Sequence, residues 1–315
     1  MSRCFYRLCE TPDPEERLED AALAKALHDV LGPDLTILPP DQDLPEHGLH
    51  LGRSRGRFSP NRTGLSPANI PYWEDAAFLR HTTREWGLYD LGEAETQVAA
   101  LHKSGRDAFV KSTLSAKHMV ERVPQGSSLS EALDAMVYSF VDRPPCLLVQ
   151  EVVPMRYERR FLIMNREVVT QSAVGSHLTP MSRFREPAPG QDFEDLHLLT
   201  PGLRTMFHIP GLTARMTEVA REIADTSGFD HVCVDLCLIG ENPAQGVIEP
   251  IEFNPMQPGM VGLFGCDPYR IAAGVARHLE LNPQIGAGAA CKAPVETRSA
   301  DEPENNDEIW LDFDA

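Results

Sequence analysis

Two apolar runs late in the chain constrain it more than any other feature. HVCVDLCLI (231–239) and VIEPIEFNP (247–255) are each long enough for a strand, and a short polar turn containing glycine joins them. Side chains alternate along a strand, so Cys233, Asp235 and Cys237 share one face while Val232, Val234, Leu236 and Leu238 share the other. In the second run Glu252 and Asn254 lie opposite Ile251 and Phe253. If the two strands pair as a hairpin, three oxygen donors converge: Asp235, Glu252 and Asn254. Two carboxylates held together repel each other. A cation such as Mg²⁺, which takes one or two carboxylates and completes its shell with water and phosphate oxygens, would relieve that repulsion. The plainer alternative is the wet face of a half-exposed sheet. Cys233 and Cys237 read as small buried thiols, because the only histidine of matching parity, His231, sits at the entry of the strand.

A phosphate ligand needs cations, and two segments upstream offer them. DAFVKS places Lys111 on a strand with Val110 pointing the other way; its ammonium acts as a point charge toward phosphate, or else decorates a strand edge. LLVQEVVPMRYERRFLIMN runs from an apolar strand through Gln150 and Glu151 to a break at Pro154. A crossing segment of this kind can offer backbone N–H and C=O groups to an adenine, with Glu151 accepting from the adenine amino group or a ribose hydroxyl. Arg156, Glu158 and Arg160 then follow period two. The Arg160 fork suits phosphate or carboxylate; the competing reading is a surface ladder of ion pairs.

The rest of the chain shows no internal repeat. Residues 4–8 and LTILP read as strands flanking a helix that starts at Asp13-Pro14 and stops at Gly32, a small βαβ-like unit. Residues 40–72 read as loop. Helical patterns resume near Trp73 and over 93–104, and SLSEALDAMVYSF is a further helix. The segment ERRFLIMN-REVVTQSAVG predicts a hairpin, residues 178–203 an irregular stretch, and 213–228 and 267–281 two helices. The expected divisions are 1–72, 73–150, 151–282 and an acidic, disordered tail over 283–315, whose IWLDF end offers a docking segment for a protein partner or for the chain itself.

Composition removes several function classes. A formal charge of −18 opposes binding to nucleic-acid backbones. No apolar run approaches the roughly 20 residues of a membrane helix, and the opening residues turn acidic before a signal-peptide core can form, so a cytoplasmic address is expected. Seven scattered cysteines with no CxxC pair point to reduced thiols.

The order of these features resembles an ATP-grasp enzyme of the carboxylate–amine ligase type. Lys111 in FVKS, Glu151 in VQEVV, Arg160 in RRFLI, Asp235 in VCVDL, and Glu252 with Asn254 in IEFNP carry the resemblance, over roughly residues 73–282. It implies an α+β, two-lobed ATP-grasp fold, here preceded by a small α/β unit. It also implies that Lys111 contacts the α- or β-phosphate of ATP, that Gln150, Glu151 and the Val153 backbone hold adenosine, and that Arg160 contacts the γ-phosphate or an acyl phosphate. Asp235, Glu252 and Asn254 would bind two Mg²⁺ ions. The implied substrates are a small-molecule or peptide carboxylate and an amine: an amino acid, a peptide or a protein terminus. Readings of other classes are an assembly chaperone that binds nucleotide without turnover, a small-molecule kinase, and a nonenzymatic scaffold.

Three features depart from the family pattern. No glycine follows Lys111 until Gly126, which leaves Lys117 or Arg122 as substitute phosphate contacts. Cys233 stands where many such ligases carry an arginine two residues before the first metal-binding aspartate, with Arg183 and Arg185 as other sources of charge. The N-terminal unit is also short for the substrate-binding domain that such ligases usually have.

Overall fold

The computed structural model describes residues 3–11, 14–45, 47–52, 64–67, 70–113, 120–134, 146–172, 174–175, 193–195, 205–207, 210–240, 242, 244–256, 263 and 266–285. Several features expected from the sequence lie outside these residues: the end of the helix after Asp134, Lys117, Arg183 and Arg185 with most of their loop, and the acidic tail from 286 onward.

The chain begins with β1 (Cys4–Arg7), α1 (Pro14–Leu31) and β2 (Leu35–Leu38), the last parallel to β1. Pro14 opens the helix, where its missing N–H costs nothing, and Gly32 leaves it at φ +52°. A third strand, β3 (Leu49–Gly52), pairs parallel to the other edge of β1. Sequence patterning predicts loop here. Four residues carry too little alternation to announce a strand, and the ladder is completed by distant β1. Gly52 is required at its end: at φ +88° a Cβ would sit 2.2 Å from the Arg7 carbonyl oxygen.

A second sheet follows α2 (Ala76–His81). It comprises β4 (Trp86–Tyr89), β5 (Ala108–Ser112), β6 (Val120–Val123) and β7 (Leu147–Glu151) in the order β4-β7-β5-β6, every pair antiparallel. Helices α3 (Leu91–Lys103) and α4 (Leu129–Asp134) contribute Val98, Leu101 and Leu129 to a core with Val110, Leu147 and Val149 on one face. Alternation therefore sends Phe109, Lys111, Leu148 and Gln150 to the other face, and the register sets Lys111 opposite Leu148 and Phe109 opposite Gln150.

The third sheet is the largest. Strand β8 (Met155–Met164) turns at Asn165 and Arg166 into β9 (Glu167–Gln171), the hairpin expected from sequence. Both turn residues have positive φ, 52° and 61°, as a two-residue hairpin loop requires. Arg166 is an unusual residue for that conformation, and its guanidinium is tied to the carbonyls of Asp225 and Ser227, both at 2.9 Å. The sheet is completed by β10 (Val174–Gly175), β11 (Phe193–Asp195), β12 (Thr205–Phe207), β13 (Val232–Ile239) and β14 (Val247–Pro255) in the order β11-β12-β10-β8-β13-β14.

Two layers cover the third sheet. Helix α5 (Pro210–Thr226) packs Met216, Ala220 and Ile223 with Phe161, Val234, Leu236 and Phe253. On the opposite face α6 (Pro268–Leu281) joins the N-terminal unit. Tyr6, Leu23 and Leu27 share one buried cluster with Leu162, Met164, Cys233, Ile271 and Val275. Each fully buried Leu contributes about 1.5–3 kcal/mol, so the N-terminal unit is anchored to the sheet through its core. Arg3 adds a polar tie, donating to the Asn282 and Ile285 carbonyls just past α6, both at 3.0 Å.

Candidate active site

Three strands of the large sheet place a charged row side by side. Asp235 on β13 stands opposite Arg160 on β8 and opposite Glu252 on β14. The Arg160 guanidinium grips Asp235 with two parallel bonds, Nε to Oδ1 and Nη2 to Oδ2, each 2.8 Å. Asn254, opposite Cys233, donates its amide to Asp235 Oδ2 at 3.2 Å and to Glu252 Oε1 at 3.1 Å. From the second sheet, Lys111 Nζ reaches Glu252 Oε2 at 3.2 Å, and it lies 4.9 Å from the centre of the Tyr72 ring. The structure thus gathers Lys111, Arg160, Asp235, Glu252 and Asn254 at one point between two sheets.

The electrostatic question raised by the sequence has a direct answer here. The two carboxylates are neutralised by two buried cations of the chain itself. Burial alone would depress the Lys111 ammonium, but Tyr72 and Glu252 outweigh it and hold its pKa above the usual value. Burial likewise opposes the charge on Arg160, and Asp235 more than offsets it, raising that pKa well above the ordinary guanidinium value. Both groups stay cationic at neutral pH.

Two bulges create this geometry. In β14 the register passes from Leu236 opposite Pro250 to Asp235 opposite Glu252, which leaves Ile251 as the extra residue. In β8 the four residues Arg156 to Arg159 face the three residues Leu238 to Leu236, and Tyr157 sits at φ 53°. The period-two ladder Arg156–Glu158–Arg160 expected from sequence is therefore broken. Arg156 stands opposite Leu238, on the side away from Arg160, and Glu158 is fully buried.

The hinge residues have partners of their own. The Gln150 amide oxygen accepts from Arg84 Nε at 3.0 Å. The Glu151 carboxylate accepts from the Glu85 backbone N–H at 2.8 Å and from Arg106 at 2.7 Å. Burial pushes the Glu151 carboxyl up, but those bonds prevail and hold its pKa below the usual range. Val153 gives its carbonyl to Met155 N–H at 2.8 Å. Beside it Met155, Cys237 and Ile251 form a small apolar shelf flanked by Val153 and Ile239. Burial raises the Cys237 thiol well above its ordinary value, so it packs there as a neutral group.

Arg84 is the residue that sequence reasoning missed. It is 4% exposed and bonds Glu249 Oε2 at 2.9 Å, the Pro250 carbonyl at 2.8 Å and the Ile251 carbonyl at 3.1 Å. Thr83 N–H supplies the other Glu249 oxygen at 2.9 Å. The one sequence signal was Pro250 inside a strand, which marks an edge or a bulge. Other expected contacts lie elsewhere. Arg122 pairs with Asp107, Nε to Oδ2 at 2.9 Å, and Cys233 is fully buried in the core under α6. His231 accepts from Asn165 N–H at 3.3 Å and packs edge-on against His278, with ring centres 4.6 Å apart.

The donor chemistry of the cluster fits Mg²⁺: two carboxylates and an amide, hard oxygen ligands without thiolate or imidazole. Among the described residues no group of three or more His, Cys, Asp or Glu gathers as a metal cluster.

The sequence matches no family model and no curated protein. Solved structures do resemble the fold. D-cycloserine synthetase DcsG superposes with a TM-score of 0.54 at 15% identity, over 88% of this chain and 99% of that one. D-alanyl-alanine synthetase A from Vibrio cholerae O1 gives 0.50 at 14% identity, over 92% and 99%. Both alignments take in nearly the whole of the other chain and most of this one, and this chain has the ATP-grasp fold.

Proposed function

We propose that the chain is an ATP-dependent carboxylate–amine ligase, working through an acyl phosphate on an amino acid, a peptide or a protein terminus. The observation that carries this reading is the meeting of Lys111 with Glu252, Asp235, Asn254 and Arg160 between the second and third sheets. Those sheets would serve as the two lobes, over residues 73–150 and 151–282, with 1–72 as the unit preceding them. Asp235, Glu252 and Asn254 would hold Mg²⁺, which would supply charge neutralisation at the phosphates.

The roles of the chain's own residues follow from where they stand. Lys111 and Arg160 are buried cations whose present partners are carboxylates, and an incoming polyphosphate offers them stronger acceptors in the same place. Their exchange would free Asp235 and Glu252 for the metal at the moment the nucleotide arrives. The Met155–Cys237–Ile251 shelf and the Val153 backbone would receive the adenine ring. With Gln150 and Glu151 side chains bonded to Arg84 and Arg106, these two residues would act on the nucleotide mainly by shaping the hinge.

The test is ADP release across a panel of carboxylates and amines. A ligase releases ADP only when both are present, and an amide accumulates. Phosphorylation of a hydroxyl acceptor without amide points to the kinase reading, and tight MgATP binding with no turnover on any acceptor to the assembly role. Glu252→Gln should lower turnover on the order of a hundredfold in protein that circular dichroism shows to be folded, the glutamine amide oxygen remaining an acceptor for the buried Lys111.

A further inference from the structure

We propose that Arg84 is a positioning residue for this cluster: by holding the bulge in β14 it sets Glu252 on the same face as Asp235. The proposal rests on the reading of Asp235, Glu252 and Asn254 as the metal-binding set.

The strand register shows why a bulge is needed. From Ile239 opposite Val247, the ladder runs without a break to Leu236 opposite Pro250. One further regular step would set Asp235 opposite Ile251. Residues directly opposite share a face, and neighbours along a strand point to opposite faces. A regular ladder would therefore bring Ile251 beside Asp235 and send Glu252 and Asn254 toward the α5 side. The observed shift places Glu252 beside Asp235 instead. The identity of the acid next to Asp235 thus depends on one extra residue.

A bulge disrupts its ladder locally, and the carbonyls it turns out need other donors. Pro250 has no N–H to give the ladder. Arg84 supplies the missing donors at this point: Nη1 to the Pro250 carbonyl at 2.8 Å, Nη2 to the Ile251 carbonyl at 3.1 Å, and Nη1 to Glu249 Oε2 at 2.9 Å. Its Nε bonds Gln150 Oε1 at 3.0 Å, and Gln150 shares a face of the second sheet with Lys111. One side chain thereby fixes the strand that carries Glu252 to the strand beside Lys111. A rigid guanidinium fork can serve four acceptors in this arrangement, and an ammonium cannot.

The experiment compares wild type, Arg84→Lys, Arg84→Met and, as a remote control, Arg3→Ala. Two quantities are read on protein shown by circular dichroism to be folded. One is the dissociation constant of Mn²⁺ in the presence of ADP, by electron paramagnetic resonance. The other is the coupling between Lys111→Met and Glu252→Gln in urea unfolding, measured in each background. Arg84→Lys should weaken Mn²⁺ binding about tenfold or more. It should also abolish a Lys111–Glu252 coupling that is at least about twofold in the unfolding constant in wild type. Arg3→Ala should lose stability and keep both quantities. Should Arg84→Met not fold, Arg84→Lys alone decides. Retention of wild-type coupling by a folded Arg84→Lys protein overturns the proposal. If wild type itself binds no Mn²⁺ with ADP, the metal reading fails, and the coupling still decides whether Arg84 positions Glu252.

Discussion

At the scale of single residues, the acids of the hairpin are balanced by cations from other strands. The sequence puts Glu252 and Asn254 on one face of their strand, because period two is a local property, whereas Asp235 joins them only through the bulged register of β13 with β14. It did not show who neutralises them. Arg160 meets Asp235 through the pairing of β8 with β13, and Lys111 meets Glu252 across two sheets. Such partners are set by register and by packing, which no single strand reveals. Arg160→Met should cost about 3–5 kcal/mol in urea unfolding, because it strands a buried carboxylate. Arg160→Met combined with Asp235→Leu should recover most of that loss, and two unfolding curves beside wild type check it.

His231 offers a second test at this scale. Burial, then the neighbouring His278, pushes its pKa down from 6.5 to about 4. The unfolded chain therefore binds a proton that the folded one refuses between those values. The stability associated with neutral His231 is complete above about pH 6.5 and is lost progressively as pH falls toward 4, by on the order of 2–4 kcal/mol. Unfolding followed from pH 7 to 4 should show a shallower decline for His231→Gln than for wild type.

At the scale of elements, long periodic segments were legible, as were the short strands β1 and β2 that flank a helix, and other short or irregular ones were not. Helices α1, α5 and α6, the β8–β9 hairpin and the β13–β14 pair all announce themselves by spacing. Strands β3 and β4 have four residues each and owe their existence to β1 and β7. The bulges escaped for a related reason: alternation read from sequence assumes an unbroken ladder. Pro250 was the available warning in β14, whereas Tyr157 carries no such mark. The cap of α2 was hidden as well. Asp75 accepts from Ala77 and Phe78 N–H at the start of α2, at 2.9 and 3.3 Å, and its other oxygen takes Ser227 Oγ–H at 3.0 Å and Gly228 N–H at 2.8 Å. It therefore joins α2 to the turn after α5. Asp75→Ala should destabilise by about 2–4 kcal/mol, more than a simple cap, because it orphans donors at two elements. Chemical denaturation measures this directly.

At the scale of the molecule, the two larger sheets meet at one buried charged cluster, and the N-terminal unit is fused to the third sheet through a shared core. No helix among the described residues is long and apolar enough to cross a membrane. The ATP-grasp fold was legible from the order of Lys111, Glu151, Arg160, Asp235, Glu252 and Asn254, and the structural neighbours bear it out. The depth to which the N-terminal unit enters the common core was not legible, since β1, α1 and α6 lie at opposite ends of the sequence.

Whether this cluster takes MgATP is tested most directly by thermal unfolding with and without the nucleotide. A ligand present at one hundred times its dissociation constant adds about 2.7 kcal/mol of stability. Wild type should show a clear rise in Tm with millimolar MgATP, and Lys111→Met or Glu252→Gln little rise. An unchanged Tm for the folded wild-type protein, or an equal rise in all three, would contradict a nucleotide site built on these residues.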